Sequence, residues 1–157
     1  MEGAHKAGQE LNPEGGSFRL LCHACPLPPP RPAPVIVEVR GAPRKNARAK
    51  SSQWVVERKA LEDLKSADSE EIVLPDGEGC LMEGTQTNFF AVVKGEVETA
   101  GKGVLEGTVR SLVLEVCARG GIPVRLRPPR LQQARLWEGA FITSTSRLVL
   151  PVDELVI

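Results

Sequence analysis

From Glu71 to Thr99 the chain alternates strand-length apolar runs with turn signals, a spacing that constrains it to an antiparallel meander. E-I-V-L (71–74) and C-L-M-E (80–83) flank P-D-G-E-G, and N-F-F-A-V-V (88–93) and E-V-E-T (96–99) flank Lys94-Gly95. Runs of four to six β-branched or aromatic residues across such short turns read as hairpins. V-I-V-E-V-R (35–40) predicts a further strand, as does I-P-V-R-L-R (122–127). A-F-I-T-S (140–144) and R-L-V-L-P (147–151) predict two closing strands. Helical periodicity is confined to a few places. From Ser52 to Leu64, Trp54, Val55, Leu61 and Leu64 share one side, with Glu57, Arg58, Glu62 and Asp63 towards water. From Thr108 to Arg119, Val109, Leu112, Val113, Val116 and Cys117 fall at helical spacing, and Gly120-Gly121 ends the run. L-Q-Q-A-R-L-W-E (131–138) reads as a short helix. Strands dominate and no internal repeat is present, which predicts an α+β domain: a mainly antiparallel sheet or partial barrel with flanking helices.

At 157 residues the chain fits one domain with a core of its own. Order is expected over 35–157. Residues 1–34 carry N-P-E-G-G-S and P-L-P-P-P-R-P-A-P, which predict a poorly ordered, Pro-rich leader, either a stiff linker or a ligand for a Pro-binding module. Twenty basic and twenty acidic residues give a formal net charge of zero, so a nucleic acid or membrane surface held by bulk charge is not expected. No apolar run reaches the roughly 18–20 residues of a membrane span. The start M-E-G-A-H-K-A-G lacks the pattern of a secretory signal, which makes the cytoplasm the default compartment and leaves an organelle open. Cys22 and Cys25 in C-H-A-C read as free thiols in a reducing environment rather than a zinc site, because the chain has two histidines in all.

Several residues invite chemistry. Gly107 before Thr108 makes a helix start with exposed amides, where a phosphate can approach the backbone. Thr108 either caps that helix or gives its hydroxyl to such an anion. Thr143, Ser144 and Thr145 place hydroxyls at a strand end, suited to a turn or to phosphate. Neither stretch has P-loop spacing. Glu83 ends an apolar strand and is either a solvated turn residue or a carboxylate partner for a cationic ring. Asn88 can fix the loop through side-chain bonds to backbone. Lys50 is one of seven lysines and sits in a basic loop, N-A-R-A-K-S-S.

Taken in order, N-A-R-A-K-S-S-Q-W, E-G-T-Q-T-N-F-F (83–90), L-E-G-T-V-R (105–110) and F-I-T-S-T-S (141–146) resemble the C-terminal part of the class IV pyridoxal-phosphate-dependent aminotransferases, over roughly 35–157. The branched-chain and D-amino-acid aminotransferases belong to this group. The resemblance implies the large C-terminal domain of fold-type IV enzymes, pyridoxal 5'-phosphate as cofactor, and transfer of an amino group between an amino acid and a 2-oxo acid. It implies that Lys50 forms the Schiff base and shuttles a proton. By the same resemblance Glu83 partners the pyridine nitrogen and Asn88 completes its motif. Thr108 and Val109 hold the phosphate at the helix start, and Thr145, with Ser144 beside it, binds it from the later loop. No metal is implied, and a homodimer is.

The chain also departs from the family pattern. Val109 stands where many members have Thr, A-G-K-G-V (100–104) is shorter than the usual loop, and the sequence contains no tyrosine. The family's phosphate-binding arginine and much of its substrate pocket come from an N-terminal domain, and 49 residues precede Lys50 here. A truncated, catalytically impaired protein that retains cofactor binding or dimerisation is therefore one alternative expectation. An amino-deoxychorismate-type lyase on the same scaffold is another.

Overall fold

The computed structural model describes residues 22–27, 29 and 31–157. The rest of the expected leader, 1–21, 28 and 30, lies outside the described residues. Among the described residues nine strands form one sheet: β1 (Ile36–Val39), β2 (Ser69–Pro75), β3 (Leu81–Gly84), β4 (Asn88–Val93), β5 (Glu96–Glu98), β6 (Val124–Arg125), β7 (Gly139–Ser144), β8 (Leu148–Val152) and β9 (Glu154–Val156). They run in the order β6-β5-β4-β3-β2-β1-β9, while β7 pairs with β4 and carries β8. The pairs β1–β2, β1–β9 and β5–β6 are parallel and the others antiparallel. The mainly antiparallel α+β expectation therefore holds.

Strand β4 is the hub. It pairs with β7 over all but its last residue, from Asn88↔Thr143 to Val92↔Gly139. Its C-terminal half also pairs with β5, whereas its first residue meets Glu83 of β3. Being covered on both faces explains why F-F-A is apolar without alternation. Phe89 packs with Val37, Val73, Leu81, Ala91 and Ile142 in the main core. Phe90 points the other way, stacks on Phe141 with centroids 4.6 Å apart, and joins Val97 and Cys117.

The helices depart furthest from expectation. The single helix predicted over 52–64 is two short ones, α1 (Gln53–Glu57) and α2 (Lys59–Leu64), separated at Arg58. Trp54 and Leu61 are half-buried, but Val55 and Leu64 of the expected apolar side are exposed. Trp54 is drawn inward by its indole bond to Thr85 O at 2.7 Å, which orients α1 and leaves Val55 facing outward. In α3 (Thr108–Arg119) the limits match, but the buried face does not. Arg110 and Cys117 are buried, Val113 and Leu114 pack on the second core, and Leu112 and Val116 are exposed. The stripe at 110, 113, 114 and 117 keeps helical spacing but is turned from the most apolar one. Arg110 enters because its guanidinium donates to Ala100 O at 2.9 Å, a partner in a distant loop. The predicted strand at 122–127 shrinks to Val124–Arg125, the predicted helix at 131–138 is a 3-10 turn over Leu131–Leu136, and β9 was not anticipated.

Packing at β4 and exposure on α3 give opposite expectations for two large apolar residues. Phe89→Ala is expected to cost about 3–5 kcal/mol in urea unfolding, as for buried aromatics generally. Leu112→Ala is expected to stay within about 0.5 kcal/mol of wild type, as surface changes do. Equal costs would contradict the orientation of α3.

Candidate functional site

A cavity of about 530 Å³ opens where the Lys50 loop, α1, the β3–β4 loop, the N-terminus of α3 and the end of β7 meet. Its wall is built by buried side chains that hold loops from behind. Glu71, 2% exposed on β2, accepts from Thr85 Oγ1 at 2.6 Å, from Gln86 N at 3.1 Å and from Ile72 N at 2.9 Å. These bonds shape the turn between β3 and β4, and Gly84 N closes it on Thr87 O at 2.8 Å. A Cβ at Gly84 would overlap Thr87 Oγ1 and lie 2.9 Å from Glu71 Cδ, so the turn requires glycine.

Glu83 ends β3 and is 3% exposed. Arg44 Nε donates to its Oε1 at 2.8 Å, and Leu105 N donates to its Oε2 at 2.9 Å. Burial pushes its carboxyl above the ordinary carboxylate value; the Leu105 amide and Arg44 pull it back in part, and Glu71 nearby adds to the rise. Asn88 Nδ2 donates to Leu105 O at 2.7 Å. The two peptide groups flanking Leu105 are thus both held: Glu83 takes the Leu105 N–H and Asn88 supports the Leu105 carbonyl. That grip directs the start of α3 at the cavity.

Gly107 is the N-cap of α3, with φ −67° and ψ 148°, and no side chain caps the helix. Thr108 does not cap it, contrary to one of the two sequence expectations. Gly107 also differs from expectation: its bare side is covered by Asn88, whose Oδ1 a Cβ would overlap. Glycine is needed there for Asn88, and the first amides of the helix remain as donors at the cavity.

All seven residues expected from the sequence line this one cavity: Lys50, Glu83, Asn88, Thr108, Val109, Ser144 and Thr145. Lys50, Thr108 and Thr145 are exposed to it, whereas Glu83 and Asn88 are buried in its wall. Ser144 serves the β7–β8 turn, accepting from Arg147 N at 3.1 Å with its Oγ 3.2 Å from Ser146 Oγ. Sequence reasoning missed Arg44, Glu71, Thr87, Arg110 and the role of Thr143. Glu71 alone left a signal, since it shares one face of β2 with the buried Ser69 and Val73. The hydroxyls of Thr87 and Thr143 and the Nε of Arg110 are buried without a hydrogen-bond partner, and all three residues line the cavity. Orphaned polar atoms are costly and call for a ligand or water. Among the described residues, no group of three or more His, Cys, Asp or Glu is placed to hold a metal ion. None of their helices is long and apolar enough to cross a membrane. Cys22 and Cys25 are exposed free thiols, away from this cavity.

Comparison with known proteins agrees in sequence and in shape. The family model described as amino-transferase class IV matches residues 3–155. A protein of Methanocaldococcus jannaschii assigned as a branched-chain-amino-acid aminotransferase is 29% identical over 148 residues, 89% of this chain and 51% of that protein. One of Synechocystis, similarly assigned, is 26% identical over 67% of this chain and 35% of its own length. This chain therefore spans at most about half the length of these relatives. The branched-chain aminotransferase of Thermoproteus uzoniensis with norvaline superposes with a TM-score of 0.69, at 23% identity, over 77% of this chain and 43% of that one. The T.th. branched-chain amino acid aminotransferase with pyridoxamine 5'-phosphate gives 0.67 at 25% identity, over 77% and 42%.

Glu83 yields a pH signature with a definite sign. With its folded value raised, the folded state binds more protons than the unfolded chain above the ordinary carboxylate value of about 4.3. The stability it contributes is present below that value and is lost as pH rises through its folded value. Glu83→Gln is expected to flatten that decline in melting temperature. A variant whose profile runs parallel to wild type from pH 4 to 8 would contradict the burial effect.

Proposed function

Since this chain belongs to the class IV aminotransferase family, we propose that its cavity binds pyridoxal 5'-phosphate and that it transfers an amino group between an amino acid and a 2-oxo acid, as a homodimer. The names of its relatives make branched-chain amino acids and their 2-oxo acids the first substrates to test. The observation that carries the reading is convergence: residues scattered from Lys50 to Thr145 in the chain line one cavity.

The residues present fit the cofactor. About 530 Å³ lies within the range of small-molecule sites. The uncapped amides of α3 and the unpartnered hydroxyls of Thr87 and Thr143 offer neutral donors to a phosphate. Thr108 and Thr145, exposed at the cavity, add two more hydroxyls, while Val109 contributes its backbone amide. Glu83 offers a carboxylate to the ring nitrogen, and a positive charge arriving there would draw its carboxyl back towards the ionised form.

When bound, pyridoxal 5'-phosphate supplies an aldehyde that condenses with amines and a ring that accepts the electrons left when an α-proton departs. The protein's own contributions are separate. The amine of Lys50 would hold the aldehyde end and would take and return the substrate α-proton. Glu83 would hold a proton on the ring nitrogen. Asn88, by gripping Leu105, keeps the phosphate-binding amides in place, and Ser144 fixes the turn that presents Thr145.

The test is borohydride reduction of the full chain with pyridoxal 5'-phosphate, followed by peptide mapping in a mass spectrometer. Label is expected on Lys50, and a Lys50→Ala chain should retain none. Amino transfer is then assayed across L- and D-amino acids, with the branched-chain set expected to lead. Label spread over surface lysines would sink the cofactor assignment. Label confined to Lys50 with no transfer to any 2-oxo acid would leave cofactor binding standing and remove transaminase activity.

A further inference from the structure

Arg44 touches three walls of the cavity at once. Its side chain is 7% exposed, and it lies six positions ahead of Lys50 in the same loop. Nε donates to Glu83 Oε1 at 2.8 Å, and Nη2 donates to Ala47 O at 2.6 Å. The guanidinium carbon stands 5.2 Å from the ring centroid of Trp54, whose own indole N–H is bound to Thr85 O at 2.7 Å. A buried guanidinium is costly unless its charge is paired and its donors are used. Here the pairing runs in three directions, to the end of β3, to the turn just before Lys50, and to α1. A planar fork with spread, fixed donors can satisfy such an arrangement while lying on the ring, whereas an ammonium offers its three donors from a single point on a flexible stem.

The arrangement matters because of what the two ends of the site must do. Under the proposed function, Glu83 meets the ring nitrogen while Lys50 meets the aldehyde carbon across the ring. The amine and the carboxylate then need a set separation. Lys50 is exposed on a loop with no helix or strand of its own, so its backbone gives little restraint. Arg44 supplies a restraint by bonding both to Glu83 and to the carbonyl three residues before Lys50. We propose that Arg44 is a positioning residue that spaces the Lys50 loop from Glu83, so that both ends of the ring are met at once.

This inference rests on pyridoxal 5'-phosphate as the occupant, and its consequences are distinct from those of simple structural support. Arg44→Lys keeps the positive charge and loses the fork; Arg44→Gln loses the charge as well. Each full-length variant is titrated with pyridoxal 5'-phosphate and scored in three ways. These are the affinity from the bound-cofactor absorbance, the pH midpoint of that absorbance, and the rate of borohydride trapping on Lys50. The phosphate donors are untouched, so affinity in Arg44→Lys is expected to stay within a few-fold of wild type. Trapping on Lys50 is expected to slow on the order of tenfold or more, as misplacement of a reacting group does. In Arg44→Gln the pH midpoint is expected to move as well, because a cation beside the Glu83 carboxylate has gone. Should Arg44→Gln fail to fold, Arg44→Lys carries the test alone through the split between affinity and trapping rate. Trapping in folded Arg44→Lys at the wild-type rate would overturn the positioning role and leave the cofactor reading intact. A wild-type chain that takes up no pyridoxal 5'-phosphate would overturn both.

Discussion

Glu83 is buried with both carboxylate oxygens committed, one to Arg44 and one to the amide of Leu105. Three segments far apart in the chain depend on that carboxylate for their relative placement: the basic loop near residue 44, the end of β3, and the approach to α3. A buried carboxylate is tolerable only when paired and hydrogen-bonded, so the segments that supply the partners cannot drift independently. The Asn88 bond to the Leu105 carbonyl locks the next peptide group of the same residue. The cavity follows from this arrangement, since its walls are the segments so joined.

Behind Glu83 a second buried carboxylate does a related job. Glu71 gathers a hydroxyl and two amides, which sets the 84–87 turn and makes glycine necessary at position 84. The division of labour is physical. Buried carboxylates organise the backbone, because each oxygen can accept more than one donor. The groups that remain exposed to the cavity, including Lys50, Thr108 and Thr145, are free to meet a ligand.

Much of the sheet was readable because a strand declares itself locally. The runs at 71–74, 80–83 and 88–93 carry their own periodicity and their own turns, and each became a strand near its expected limits. The buried face of α3 was not readable. Apolarity alone nominated Leu112 and Val116, yet both are exposed, and Arg110 is buried against a carbonyl that local sequence gives no means of locating. The same reason hid Arg44. An arginine between a proline and a lysine looks solvated until its carboxylate, 39 positions away, is brought beside it.

The chain's own order of residues determined its family, the strand-rich class and the identity of seven cavity residues, because short motifs carry those features without reference to distant partners. Only the tertiary structure decided which polar groups are buried and paired, which hydroxyls are left without partners, and that Gly107 serves Asn88. Those outcomes depend on long-range contacts. A buried charge or hydroxyl is acceptable only where a partner from elsewhere in the chain arrives, and the arrival is a property of the fold.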